Sequence, residues 1–356
     1  MREAHFFAGG NTSSGFVSYF KTFVDPKQAE RIYILKGGPG VGKSTFMRKF
    51  ASVFKGRGLD IEYIHCSSDP ASLDGVMIPK LRVLLVDGTA PHTLDPLLPG
   101  AADEILNLGA FLDSSNLREH KRQIVEINNE KAYLYQSAYR YLQCAGALGT
   151  EISEAYNKIT DESKLALLKE EAAAEVFPDA ILRSFKKENG RRMLFTEAYT
   201  ADGYCNFTDS FSDGKKVIGV IGENIRSVSS LLIALAAFAE SIGLEVVCCC
   251  MPLYPDMLQH LIIPKLNVLI RSAVSASSRD FDEIIDMRRL LDIEKLNACS
   301  SEIEDNGNIF DAMIDKAIKK LSEARELHRQ LETYYVSSMD FGAADRCFED
   351  VISRCS

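Results

Sequence analysis

The residues with the clearest chemical potential fall at 34–45, which read ILKGGPGVGKST. Gly37, Gly42, Lys43 and Ser44 hold the fixed places of G-x-x-x-x-G-K-[ST], a phosphate-cradling pattern. Glycines at this spacing let successive backbone N–H groups turn onto phosphate oxygens, and a helix N-terminus behind them adds partial positive charge. In that frame Gly37, Gly38, Pro39, Gly40, Val41 and Gly42 form the cradle. Lys43 reaches the β- and γ-phosphates, Ser44 ligates Mg²⁺, and Thr45 sits on the α-phosphate side. A carboxylate belongs with them. Asp87 ends the apolar run LRVLLVD about 40 residues further on, where a strand-end acid holds Mg²⁺ through water. Asp69 and Asp74 lie in SSDPASLDG. Loops after parallel strands line the ligand crevice, so this pair is placed to bind a second substrate or orient a water. His65 and His92 read as polar side chains satisfied at strand ends.

These residues need a strand, a glycine loop and a helix. Residues 31–35 form a β-rich apolar run and 44–54 (STFMRKFASVF) have helical spacing. The chain before them reads as a strand at 5–8, a polar turn and a short helix at 15–24. Strands at 59–66 and 81–86 follow. Strands alternating with helices predict an α/β fold with a parallel, doubly wound sheet of the P-loop nucleotide-binding type.

The unit is repeated. IPKL occurs at Ile78 and again at Ile263, an offset of 185 (263 − 78). The same offset places Gly37 on Gly222, Gly58 on Gly243, Pro70 on Pro255 and Val83 on Val268. Seven-residue seams follow each unit, one through Ile124, Lys131, Ala138 and Ala145, the other through Phe310, Ala317, Ala324 and Leu331. Each predicts a helical hairpin appended to its own copy, returning through 152–176 and 341–352. The domains are then 1–187, with its hairpin from about 101, and 188–356, with its hairpin from about 309.

The second copy has lost the chemistry. It reads GENIRSVSS at 222–230. Val228 faces Lys43, Ile225 faces Gly40, Ser227 faces Gly42, and Ser272 faces Asp87. A valine cannot neutralise phosphate, and side chains at glycine positions crowd the loop. This copy reads as a pseudo-site, with Ser229 and Ser230 left to cap its helix. Residues lost together with Lys43, above all Asp87, are therefore candidates for function.

Composition narrows the classes. A net charge of −9 over 356 residues argues against a broad nucleic-acid surface. Tyr133, Tyr135, Tyr139 and Tyr141, among Arg118, Arg122 and Arg140, suit helix packing better than base stacking. The longest apolar run, 231–239, is too short to span a bilayer. Nine cysteines with no C-x-x-C pair fit a reduced, cytoplasmic protein. The guanine signature N-K-x-D is absent, which favours ATP over GTP. Gly88 follows Asp87, so no adjacent glutamate polarises water. Arg48, Arg118, Arg122, Arg191 and Arg192 are available to stabilise transferred charge.

The combination FAGGNTSSGFVSYF, ILKGGPGVGKST, HCSSDPASLDG, IPKL and LLVDGTAPH resembles an uncharacterised bacterial family of tandem P-loop proteins, named ATPase or nucleotide-kinase-like. The resemblance covers the whole chain and implies ATP binding at 37–45. A second glycine-lysine loop is usual in the C-terminal half of that family, and this chain departs from it at 222–230. The sequence thus predicts a Mg²⁺-dependent ATP-binding protein, an ATPase with one working P-loop. A kinase for a small molecule or nucleotide stays open, as does a nucleotide-gated switch that binds a protein partner or another subunit.

Overall fold

The structure, a computed structural model, describes residues 2–20, 29–178, 190–274 and 280–355. The first half runs β1 (Glu3–Phe6), β2 (Gly9–Thr12), β3 (Gly15–Ser18), β4 (Arg31–Lys36), α1 (Lys43–Gly56), β5 (Ile61–His65), β6 (Leu73–Ile78), β7 (Val83–Asp87) and β8 (Asp103–Asn107). Helices α2 (Ser114–Glu119), α3 (Lys121–Ile159) and α4 (Glu162–Val176) follow. The second half opens with β9 (Arg191–Leu194), β10 (Glu197–Thr200), β11 (Gly203–Asn206) and β12 (Lys216–Ile221), then α5 (Ile225–Ser241). It continues through β13 (Val246–Cys250), β14 (Leu258–Ile263), β15 (Val268–Ala273) and β16 (Glu283–Asp286) to α6 (Ile293–Val336) and α7 (Phe341–Arg354).

The duplication is plain in the sheets. One has the order β1-β5-β6-β7-β4-β8, the other β9-β13-β14-β15-β12-β16. They share a register shift, between Ile64 and His65 in one and Cys249 and Cys250 in the other. Both sheets are mixed rather than wholly parallel, because β6 and β14 run antiparallel to both neighbours. The sequence reading took 67–75 as loop, since Asp74 and Gly75 break its apolar pattern. The IPKL motif then makes a single 3₁₀ turn, closed by Arg82 (φ 54°) or Asn267 (φ 56°). A connection this short can join only antiparallel neighbours.

Nor is either sheet doubly wound. In β4, Tyr33 and Leu35 pack on Phe46, Met47, Phe50 and Phe54 of α1, while Ile32 and Ile34 point the other way. There they meet Val247, Cys249, Ile262 and Leu269 of the second sheet. Strands apolar on both faces need two covers. Helices supply one and the other sheet supplies the second.

The region predicted as a helix at 15–24 begins instead as β3, paired with β2; 21–28 lie outside the described residues. Thr12 Oγ1 donates to Gly15 O at 2.8 Å and Gly15 takes φ 96°, which is hairpin chemistry.

The helical seams exist, but they do not close within each copy. Helix α3 has no break before Thr160, so it cannot fold back at 152 as the hairpin reading required. It lies antiparallel to α6, with Lys131 beside His328 and Thr160 bridged to Leu291. Small residues on the seam, Ala138 and Ala145 on α3 and Ala317 and Ala324 on α6, are fully buried. The terminal helices are exchanged as well. Leu165, Leu168 and Val176 of α4 enter the core of the second sheet, whereas Phe348 and Val351 of α7 enter that of the first. The expected domain boundary at 187/188 lies outside the described residues.

Candidate functional site

Strand β4 runs into the glycine loop and α1 leaves it, as the motif requires. Gly40 (φ 70°) and Gly42 (φ 89°) hold left-handed backbone, and Gly42 is the N-cap of α1. No side chain caps that helix and its first turn carries no acid. Its first amides are left for an anion. The second copy differs here. Asn224 caps α5 by accepting from the amides of Arg226 and Ser227, and the helix starts at Ile225, the counterpart of Gly40. The glycines therefore delay the helix by about one turn, and that turn stays an open glycine loop. Ser229 and Ser230, expected as caps, do other work. Ser229 Oγ accepts from Leu258 N at 2.9 Å and Ser230 Oγ accepts from Lys169 Nζ at 2.6 Å.

Lys43 and Asp87 are brought together. Lys43 Nζ donates to Gly37 O and Gly38 O, each at 2.8 Å, and lies 3.6 Å from Asp87 Oδ2. Asp87 stands beside Leu35 in the β4–β7 register, level with the start of the loop. Its Oδ1 accepts from the Thr89 amide at 2.8 Å. Burial pushes the Asp87 carboxyl above the ordinary carboxylate range, against the pull of Lys43 and Thr89. No acid could follow it. A Cβ on Gly88 would collide with Ile34 Cγ2 and come within 3.2 Å of Leu94 O. Lys36 Nζ pins this loop by donating to Gly88 O and Leu94 O, both at 2.8 Å.

Ser44 Oγ accepts from Leu73 N at 3.0 Å. Ser229 makes the matching bond to Leu258 in the copy without the lysine, so this bond belongs to the scaffold. The remaining donors fit Mg²⁺ in one way: a hydroxyl, a carboxylate and otherwise nucleotide oxygens and water. Among the described residues no cluster of three or more His, Cys, Asp or Glu could hold a metal alone.

The other candidates divide. Asp74 pairs with His92 Nε2 at 3.0 Å, both side chains buried. Burial works against the imidazolium, but the Asp74 carboxylate, with Asp87 behind it, raises the His92 pKa. Asp74 is thus committed to His92, and its charge adds to the upward push on the Asp87 carboxyl. Asp69 is a third exposed and lies 3.9 Å from Arg325 Nη1. His65 is elsewhere, in a cleft of about 550 Å³ between the halves, with His5, Asp202 and Phe207. Its Nδ1 donates to Pro70 O at 2.7 Å, so Nε2 accepts from His5 Nδ1 at 2.9 Å. Burial brings the His65 pKa down to about 4.

Of the arginines considered from sequence, Arg191 and Arg192 are bound to Glu240 and Glu62, and Arg122 to Glu126. Arg48 donates to Ala71 O. The residues that reach the loop come instead from α6. Arg325 bridges Asp202 Oδ1 (2.6 Å) and Asp69. Burial, with Lys131 and Lys43 nearby, lowers the His328 pKa to about 4. Glu332, Tyr335 and Val336 lie against the glycines: a Cβ on Gly38 would come 2.5 Å from Tyr335 Cε1, and one on Gly40 would come 2.9 Å from Val336 Cγ2. The only sequence signal for these residues is their i, i+3, i+7 spacing on a helix.

The geometry is that of a duplicated α/β protein with one glycine loop, its lysine and a facing carboxylate. No protein-family model, curated protein or solved structure matches the chain. Among the described residues no helix is long and apolar enough to cross a membrane.

Proposed function

We propose that the first copy binds Mg·ATP at residues 37–45 and hydrolyses it, and that the second copy serves as a scaffold. The observation that carries this is the convergence of Lys43 and Asp87 at the start of an uncapped helix, with loop carbonyls holding the lysine in place. The loop amides and Lys43 would bind the phosphates and stabilise charge that builds up on transfer. Ser44 and Asp87 would hold Mg²⁺, which neutralises charge on the β- and γ-phosphate oxygens. Thr89, whose amide and hydroxyl both donate to Asp87 Oδ1, would keep that carboxylate in position. ATP is preferred to GTP because the chain carries no guanine signature.

A switch is the second reading, and the chain geometry favours it. Helix α6 touches the loop of the first copy and begins on the second, so an event at one end has a rigid route to the other. Transfer to a small acceptor stays open as the alternative, with the cleft lined by His5, Pro70 and Asp202 as a place for it.

Phosphate release from Mg·ATP, with retained nucleotide measured in the same samples for the natural protein and Lys43→Ala, tests these readings. Steady release abolished by the substitution supports hydrolysis. Retention without release leaves the switch and the kinase, which a screen of metabolites for ADP formation separates. No difference between the two proteins removes the assignment.

A further inference from the structure

The duplication makes two equivalent crevices, each between the loop after β5 or β13 of one copy and a hairpin of the other. The loop at 66–72 faces β10 and β11 across the cleft of about 550 Å³ that holds His5 and His65. The loop at 251–257 faces β2 and β3, and there the crevice is closed. Ser13 N and Oγ donate to Leu253 O at 3.2 and 2.7 Å, and Tyr19 OH donates to Pro255 O at 3.0 Å. Cys250 and Pro255 are buried beneath them.

Counterparts lie 188 residues on in the first strand and hairpin (203 − 15) and 185 on in the loops (263 − 78). Ala201 stands for Ser13 and Phe207 for Tyr19, so the open cleft lacks both closing hydroxyls. His5 and His65 stand where the closed crevice has Met193 and Cys250. The shared scaffold accepts a thioether and a thiol at those places. It gives no reason for two imidazoles, which cost more to bury.

The imidazoles are wired in one direction. Pro70 O can only accept, so the bond from His65 Nδ1 fixes His5 Nδ1 as the donor to His65 Nε2. Burial pushes the His5 imidazole below its ordinary value, as it does His65, so both rings are uncharged near neutral pH. His5 Nε2 is then an acceptor, and among the described residues no hydrogen bond uses it. Flat apolar surface flanks it: the Phe207 ring lies 4.4 Å from that of His65 and 5.8 Å from that of His5. At the rim stands the exposed Asp202, with Arg325 shared between it and Asp69. Two carboxylates against one guanidinium disfavour an anion here.

We propose that the cleft binds a small, flat, uncharged heterocycle through its N–H or amino donors, one given to His5 Nε2 and one to the Asp202 carboxylate. This goes beyond the nucleotide reading and needs no nucleotide at 37–45.

The test is ligand-observed NMR and calorimetric titration of the full chain with cytosine and with adenine, in the absence of nucleotide. Benzoate is the anionic control. Two variants borrow residues that the closed crevice already carries: His5→Met removes the acceptor, and Phe207→Tyr supplies a closing hydroxyl. Each is checked for an unchanged melt. At least one base is expected to bind the natural chain, and both variants to bind it more weakly by on the order of tenfold, as the loss of one hydrogen bond allows. Benzoate is expected not to bind. Binding of neither base overturns the inference, as does undiminished binding in either variant or binding of benzoate as strong as that of the bases. Displacement of the bound base by Mg·ATP also overturns it, since the base would then occupy the nucleotide site. Failure of Mg·ATP to bind while the base does removes the proposed function and leaves this inference standing.

Discussion

Phe7 and Phe195 hold each other across the centre of the molecule. Each donates its amide to the other's carbonyl, at 2.8 and 2.9 Å, and both rings are fully buried. They occupy equivalent places in the two copies, one residue beyond β1 and one beyond β9. A residue that pairs with its own counterpart lies on a two-fold axis. The halves therefore meet as an isologous dimer would, within one chain.

Lys43 gives the sharpest prediction. Lys43→Ala should leave the fold intact and lower ATP turnover by about 10²–10³, the usual cost of removing one preorganised charge-stabilising donor. Steady-state phosphate release beside far-UV circular dichroism checks it.

The loop glycines should differ in cost from a turn glycine. Gly40→Ala meets Val336 and the Glu332 backbone at φ 70°, whereas Gly15→Ala keeps φ 96° with nothing within 4 Å. Gly15→Ala should cost about 1 kcal/mol from backbone strain, and Gly40→Ala clearly more as well as nucleotide binding. Urea unfolding of both variants gives the comparison.

The Asn224 cap replaces a site with stability. Its side chain accepts two amides of α5 and donates to Asn157 Oδ1 and Thr160 Oγ1 at 3.1 and 2.9 Å. Asn224→Ala should lower stability by about 1–2 kcal/mol and leave ATP turnover unchanged. Equal midpoints in denaturant would contradict it.

Stability should peak near pH 6.5 because histidines are shifted in opposite directions, His92 upward and His65 and His328 downward. The folded pKa of His92 is raised above its ordinary 6.5, so its contribution is full below that value and fades as pH rises through the folded pKa. His65 is lowered to about 4, so its contribution is present above 6.5 and fades as pH falls toward 4. Asp74→Asn should flatten the alkaline side of a plot of melting temperature against pH and spare the acid side.

The exchanged terminal helix makes the first core depend on the far end of the chain. Phe348→Ala removes a ring that meets Phe46 edge-on at 5.1 Å between centroids. It should cost about 3–5 kcal/mol, and the loss should appear as faster hydrogen exchange in α1 before any in α5.

Local chemistry was the legible part of this sequence. The strand, loop and helix at 31–54, the Asp87 strand end and the offset of IPKL all followed from residue types at short range. What failed needed knowledge of partners. Asp74 and Gly75 hid an antiparallel strand, because an acid and a glycine look like a turn until His92 and a neighbouring strand are beside them. Val247 and Cys249 announce an apolar face but not that another sheet covers it. The heptads of 124–148 and 310–335 were real, yet a seam does not state which helix it meets. Glu332 lies nearly 300 residues from Gly40, and nothing in its neighbourhood marks it.

The crossed helices also bear on how the two copies can drift. An ordinary duplicate that loses its lysine is free to decay or be deleted. Here the copy with Asn224 in place of the glycine loop supplies α6, which packs over the glycine loop of the first, and α7, which packs against α1. Its loop could change while its architecture could not. Substitutions in the second copy should thus be tolerated at its own loop and resisted along the arm it lends to the first, a division of labour fixed by the path of the chain.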